Sequence, residues 1–403
     1  MTRRVLGRQG SFLASAAVVA HTIWTSAAPA LSYPLYAQQW HLTTFTTTAI
    51  FAVYPVLVVF VLVLFGNLSD FIGRRETMLA GLAFSGLGSL TFALAQSVDW
   101  LFWGRAFMGI GVGLSAGPSA AAIVEFSPPH RVGQAGGATA AAQGLGMMSA
   151  ALIGGPLIQY APLPLRLNFA VLSGFLAGLF AMTWFMPNHT ASRPSGRWKP
   201  KVPSIPNGAY AVFVTSTAAV TGSYVLGAMT LSLGAQVARD VVASSNALVN
   251  GGTIALFALA STLATIPARK IAVRIVMLSG GISAIVASAV LAIAAVEHSL
   301  SLYILAQLGA GAAYSWLLLG GLSLMNSHLP VTHRAATLSA LFLVAYLAQA
   351  LVALSLGKTA TIYGLAMAVD IGVVTVAALA LLTLLLDLIQ RKTALGRSRK
   401  ARS

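Results

Sequence analysis

The chain has 403 residues, of which 57% are hydrophobic and only 8% charged, with a mean hydropathy of +0.83. So little polar surface cannot cover a water-soluble globule of this length, which puts the chain in a lipid bilayer. The absence of cysteine excludes disulfides, thiolate metal sites and thiol catalysis, and the formal charge of +16 has to be judged by where it lies.

A spanning helix needs about 20 mostly apolar residues, because the hydrocarbon layer is about 30 Å thick. In chain order twelve such segments are predicted, at 11–33, 43–66, 76–97, 100–124, 134–160, 166–187, 208–234, 244–267, 274–296, 299–325, 333–356 and 362–387. The predicted fold class is therefore an all-α polytopic membrane protein with twelve transmembrane helices. Spans five and seven are diluted by Gly, Ser, Thr and Ala, small residues that let helices pack closely.

Of the 24 basic residues, twenty fall in the loops and tails on one predicted side; Arg166, Arg239 and Lys358 fall on the other, and Arg105 lies inside a span. This is the positive-inside pattern, and it predicts both termini and the middle loop in the cytoplasm. Basic residues beside a membrane set topology or touch anionic lipid, so no nucleic-acid partner is expected. The N-terminal run ending Ser26-Ala27-Ala28-Pro29-Ala30-Leu31-Ser32 also resembles a cleavable secretion signal. Cleavage would leave an odd number of spans, so the segment is expected to be retained.

Residues 188–207, rich in proline and positive charge, read as a cytoplasmic linker between six-span halves at 1–187 and 208–387, followed by a basic tail at 388–403. A faint echo joins the halves at an offset of about 200 residues. Arg74, Arg75, Met78 and Leu79 recur as Val273, Arg274, Met277 and Leu278, and His130-Arg131 as His333-Arg334.

Between spans two and three, Gly66, Asp70, Gly73, Arg74 and Arg75 punctuate a charged turn. The glycines permit tight turns, the acid supplies charge at a helix end, and the arginines hold the loop at the cytoplasmic face. The pattern resembles the loop joining the second and third helices of major facilitator superfamily transporters, with a likeness to the twelve-span drug/proton antiporters. That resemblance implies two pseudo-symmetric six-helix bundles. It also implies that Asp70 docks near the start of span eleven, and that Arg74 meets Glu125, the acid ending span four. Together these contacts would latch the cytoplasmic side; the alternative is an ordinary solvated turn. Phe71 stands where the family usually carries a basic residue, and Arg269 stands in the second half where Asp70 stands in the first.

Span four resembles the family's second motif. Its Gly109, Gly113 and Gly117 lie four apart and form a smooth stripe for helix packing. No strand precedes them, so the Gly-x-Gly rhythm is no dinucleotide signature. Arg105 inside the hydrocarbon is costly and is a functional candidate, which the resemblance ties to a nearby protonation site; the alternative is snorkelling to the interface. Span five ends in Gly155-Pro156, a partial match to the antiporter motif, with Gln159 and Tyr160 in place of the glycines expected there. A proline kink is the alternative. Two further coupling candidates join Arg105. Asp370 is read as lying near the middle of span twelve, and as the carboxylate clearly away from a loop. His21 is the other, with packing roles as the alternatives.

In the family, spans one, four, seven and ten line the cavity, with help from two, five, eight and eleven. Candidate lining residues are Trp24, Thr25, Tyr54, Gln143, Tyr224, Asn246, Asn250, Gln307, Tyr314, Tyr346 and Gln349. Aromatics beside amides suit a moderately apolar, hydrogen-bonding solute, although the same residue types fill packing positions. Leu356-Gly357-Lys358-Thr359 imitates the end of a phosphate loop, but Val352 replaces its first glycine. No cofactor, metal or enzymatic activity is expected. The reading is a monomeric, multi-pass secondary transporter in a bacterial inner membrane, working by alternating access, with proton-coupled export of a drug-like or small organic solute. The alternatives are an importer or facilitator of a small metabolite, and a membrane receptor without flux.

Overall fold

A peptide group in hydrocarbon has only other protein groups to bond, so an apolar run of twenty residues folds as helix. The computed structural model describes residues 5–128, 135–187, 198, 204–242, 246–268, 270–329 and 331–400, and these are helical almost throughout. The helices are α1 (Arg8–Ala27), α2 (Tyr33–Trp40), α3 (Thr44–Phe65), α4 (Leu68–Ile72), α5 (Arg74–Ala93), α6 (Val98–Phe126), α7 (Ala135–Tyr160) and α8 (Pro164–Trp184). They continue with α9 (Tyr210–Ala228), α10 (Gly234–Gln236), α11 (Ala247–Ala268), α12 (Val273–Val296), α13 (Leu300–His328), α14 (Val331–Tyr363) and α15 (Leu365–Lys400).

Among the described residues, ten helices are long and apolar enough to cross a membrane. The first and third expected spans, α1 and α5, have the length at 20 residues each but carry more polar residues, including His21 in one and Arg74, Arg75 and Glu76 in the other. Span seven departs from a plain helix. After α9 the chain passes through π-helical turns at Met229–Leu233 and Val237–Val241, with α10 between them. The short α2 between spans one and two was not expected from hydropathy; it begins with Pro34 in its first turn, where a missing N–H costs nothing. Helix α15 runs on through the segment expected to be a separate tail.

Glycine sets how closely these helices approach. A β-carbon on Gly81 would stand 2.6 Å from the Gly111 carbonyl, and one on Gly88 would stand 2.7 Å from the Gly104 carbonyl, so α5 and α6 touch backbone to backbone. On another face of α6, Gly109 and Gly113 press on α3 at Tyr54 and Val61. The expected three-glycine stripe stops there, because Gly117 faces open space.

The largest apolar core joins residues 14–186 with Ala228 and Ala353, and further cores lie within 212–380. Between these two groups of helices, α3 packs on α14 and α7 on α11. Hydrogen bonds between the groups gather at the end away from the Gly66–Arg75 turn. There Gln236 donates to the Thr47 hydroxyl at 3.2 Å, the Phe45 amide donates to Thr361 at 2.9 Å, and Arg239 donates to the Pro34 carbonyl at 3.4 Å. At the opposite end Trp198 stacks on Phe65 with ring centroids 5.5 Å apart, and its indole donates to Asn67 Oδ1 at 3.0 Å.

Close packing predicts unequal tolerance along one helix pair. Gly111→Val places methyls where a β-carbon already meets the Gly81 carbonyl at 2.5 Å, and is expected to cost about 1–3 kcal/mol, read as a lower unfolding temperature in detergent. Gly86→Val, facing open space, should leave that temperature nearly unchanged.

Candidate functional site

The charged turn is built by local rules. Helix α3 closes at Gly66, α4 makes little more than one turn, and Gly73 takes φ +110°, a conformation that side chains disfavour, before α5 starts at Arg74. That geometry aims Arg74 across to the last turn of α6. Its Nε donates to Glu125 Oε1 at 2.7 Å, and its Nη1 donates to Asp70 Oδ1 at 3.3 Å and to the Ser69 hydroxyl at 3.1 Å. Arg75 turns the other way, to Glu76 at 2.8 Å and the Met186 carbonyl at 3.2 Å. The Asp70 side chain is 40% exposed. The side chains at 331–335, where the resemblance sends it, lie outside the described residues.

On α6, Arg105 is fully buried. Gly109 sits one turn further on the same side of α6, and its missing side chain lets the α3 backbone close in at Tyr54. The Tyr54 ring thereby lies over the guanidinium at 4.5 Å, with the Phe51 ring at 5.5 Å. Arg105 donates to the Ser26 carbonyl at 3.1 Å and the Phe51 carbonyl at 3.5 Å, while its Nε has no hydrogen-bond partner.

Tyr54 in turn belongs to an aromatic meeting point between the two helix groups. Its hydroxyl bonds the Ser26 side chain and lies within electrostatic reach of Tyr224, Tyr314 and Tyr346. The Tyr224 and Tyr346 rings are 4.8 Å apart, Phe342 stacks beside Tyr224 at 6.3 Å, and Phe257 meets Tyr314 edge-on at 5.6 Å. Gly227 leaves room for the Tyr314 ring, and Ser223 holds the Tyr314 carbonyl at 2.8 Å. Four of the eleven lining residues expected from the sequence therefore converge here, one each from α3, α9, α13 and α14.

The other candidates are placed elsewhere. Trp24 packs on Phe175 of α8 at 4.8 Å and Thr25 is buried. Gln143 is exposed, and Gln349 is buried one turn from Tyr346. Asn246 caps α11, accepting from the Val249 amide at 3.3 Å, and Asn250 is buried in the next turn. Gln307 donates to the Tyr303 hydroxyl at 2.8 Å and accepts from Thr230 at 3.4 Å, while Tyr303 donates to the Gly234 carbonyl at 3.0 Å. These three side chains tie α13 to the π-helical part of span seven. Gly155 abuts Gly251 of α11, and Pro156 lies inside a continuous α7. His21 is bound to the Val18 carbonyl and to Ser85 of α5 at 3.3 Å, within the first helix group.

Asp370 requires a correction. It sits in the second turn of α15 and is exposed, because the helix starts at Leu365 and turns that face outward. The buried acid of the same helix is Asp387, 0% exposed and 3.5 Å from Arg274 Nε. Sequence reasoning missed it by placing the end of span twelve at that residue, although Leu384, Leu385, Leu386, Leu388 and Ile389 surround it with apolar sequence.

The fold is thus that of a multi-pass helical membrane protein with an aromatic meeting point between two helix groups. The sequence profile of the Major Facilitator Superfamily matches residues 13–353, and the chain belongs to that family. Over 103 residues it is 34% identical to Multidrug resistance protein 3 of Bacillus subtilis (strain 168), a match covering 26% of this chain and 20% of that one. Over 65 residues it is 42% identical to Sugar transporter ERD6 of Arabidopsis thaliana, covering 16% and 13%. The chain thus spans a fifth or less of the length of these two curated relatives. Among solved structures it is similar in fold to a POT family transporter in complex with a thioalcohol-conjugated peptide, with TM-score 0.77, 13% identity and coverage of 94% and 95%. It is also similar to a bacterial homologue of the human lysosomal transporter Spinster, inward-facing and unoccupied, with TM-score 0.70, 15% identity and coverage of 94% and 95%.

The Asp387–Arg274 pair should couple more strongly than a surface pair. A double-mutant cycle of Arg274→Ala and Asp387→Ala, read by thermal or denaturant unfolding in detergent, is expected to exceed the about 0–1 kcal/mol typical of exposed pairs.

Proposed function

We propose that this transporter exports a small organic solute by alternating access, with residues 1–187 and 208–387 rocking about the tyrosine site and a proton gradient supplying the energy. The observation that carries the reading is the cluster of Tyr54, Tyr224, Tyr314 and Tyr346, contributed by both helix groups and backed by Arg105. With the two groups bonded to each other at the end away from the basic turn, the arrangement corresponds to a solute path open towards the basic end. The basic end is the cytoplasmic one in this reading, since charge favours that side. Export is favoured over import by the partial match to Multidrug resistance protein 3 and by Gly155-Pro156 in span five.

The Asp70–Arg74–Glu125 cluster is the proposed latch of the basic end. In the opposite state Asp70 would meet the start of α14, whose N-terminal amides favour an anion. Such a contact biases one state by about 1–3 kcal/mol. A facilitator or importer is the second reading, favoured by the match to Sugar transporter ERD6.

Expression in cells lacking their own efflux pumps tests direction and energy source together. Fluorescent dye accumulation should fall, and a proton uncoupler should restore it; equilibration indifferent to the uncoupler would favour a facilitator. In the same assay Asp70→Asn should insert normally yet lose most transport, because it removes the charge of the latch without changing its size. Unchanged turnover in that variant would defeat the latch.

A further inference from the structure

Among the described residues, the charged group that touches the tyrosine meeting point is a cation, Arg105 against Tyr54. Arg105 is fully buried, its guanidinium pressed on the Tyr54 and Phe51 rings, with Nε unbonded. All eight acids are described, and they lie towards one or the other end of the bundle. Asp70, Glu76, Glu125 and Asp387 are at the basic end, and Asp99, Asp240, Glu297 and Asp370 are at the other. Among the described residues none stands beside the tyrosines to neutralise Arg105. A positive charge held in low dielectric without a counter-ion leaves a lasting positive potential at the site.

Resting on the transporter reading above, we propose that the transported solute is an aromatic organic anion, a carboxylate or a group of like charge, and not the lipophilic cation that an aromatic cavity alone would suit. Tyrosine faces ordinarily favour a cation. Here the face of Tyr54 is already taken by Arg105, and a second cation entering the cluster would meet a like charge a few ångströms behind that ring. The hydroxyls of Tyr54, Tyr224, Tyr314 and Tyr346 come from both helix groups; Tyr54 is bonded to Ser26 and Tyr224 to Tyr346, whose rings are 4.8 Å apart, so a solute takes over O–H groups that now bond protein. A carboxylate accepts from them through charge-assisted hydrogen bonds, while its aromatic body stacks on the rings. Arg105 contributes from behind Tyr54, through its field, and holds that ring in place. Since the donors belong to both helix groups, an anion bound between them also bridges the parts that must move.

The test uses the purified full chain at neutral pH and three probes of one shape: 2-naphthoate, 2-naphthamide and 2-naphthylmethylammonium. Binding is read by thermal stabilisation in detergent. Naphthoate should bind about tenfold or more tightly than the ammonium probe, with the amide between them. Arg105→Lys should keep that order and Arg105→Gln should erase it. If Arg105→Gln does not fold, Tyr346→Phe serves instead: it removes one donor, and should weaken naphthoate severalfold while leaving the ammonium probe unchanged. Tighter or equal binding of the cation, binding of none of the three, or a naphthoate preference intact in Arg105→Gln or, failing that variant, in Tyr346→Phe overturns the proposal. Naphthoate binding without gradient-driven movement of naphthoate in proteoliposomes would support the anion site and remove the export reading.

Discussion

The site depends on one contact, the cover that the Tyr54 ring gives to a buried arginine. A guanidinium in hydrocarbon costs several kcal/mol unless protein groups replace its water. Two main-chain carbonyls and two aromatic faces do so for Arg105. The cover exists because Gly109, one turn along α6, lets α3 approach until a β-carbon there would stand 2.8 Å from the Tyr54 carbonyl. The expected packing motif and the expected coupling residue are thus parts of one arrangement. The glycine sets the distance, the distance seats the ring, and the ring carries the charge's influence to the point where the helix groups meet.

What could be read from the sequence divides along physical lines. The Gly66–Arg75 turn was legible because its chemistry is local: a glycine at positive φ, an acid in a one-turn helix and an arginine starting the next helix fix one another within ten residues. Helix existence was legible from apolar length. Which way a side chain faces was not, because a hydropathy window averages over a full turn and discards rotation. Trp24 and Gln307 were grouped with the tyrosines by composition, yet one packs on Phe175 and the other secures the π-helical stretch of span seven. Asp370 and Asp387 were misjudged for the same reason. They lie on one helix, but only the second is turned inward, and a helix boundary drawn a few residues short hid it. The π-helical turns had no sequence signal beyond small residues such as Gly227 and Gly234, which serve equally in straight packed helices.

The echo between the halves also takes a physical form. Arg75, the second residue of α5, pairs with Glu76 beside it in the same helix; its counterpart Arg274, the second residue of α12, pairs with Asp387 of α15. The arginine position repeats, but the acid comes from a different helix. The environments differ accordingly. The first pair is partly exposed on both sides, so solvent screens it. In the second the carboxylate is wholly buried while Arg274 is 42% exposed, so solvent screens that pair less. Position alone therefore does not carry an ion pair from one half to the other, because the partner is set by the helix packed alongside, α15 in the case of α12.

Charge balance then constrains how the central site works. Proton exchange at a transporter's middle usually calls on a carboxylate or a histidine that can face the cavity. Here the acids lie towards the two ends of the bundle, and His21 has both ring nitrogens engaged by Val18 and Ser85 inside the first helix group. Among the described residues the tyrosine meeting point therefore holds neither a carboxylate nor a histidine, and its charged neighbour is Arg105. On the export reading, a difference in charge between the loaded and empty carrier would come from the solute or from the ionic groups at the ends, which ties the choice of solute to the energetics of the cycle.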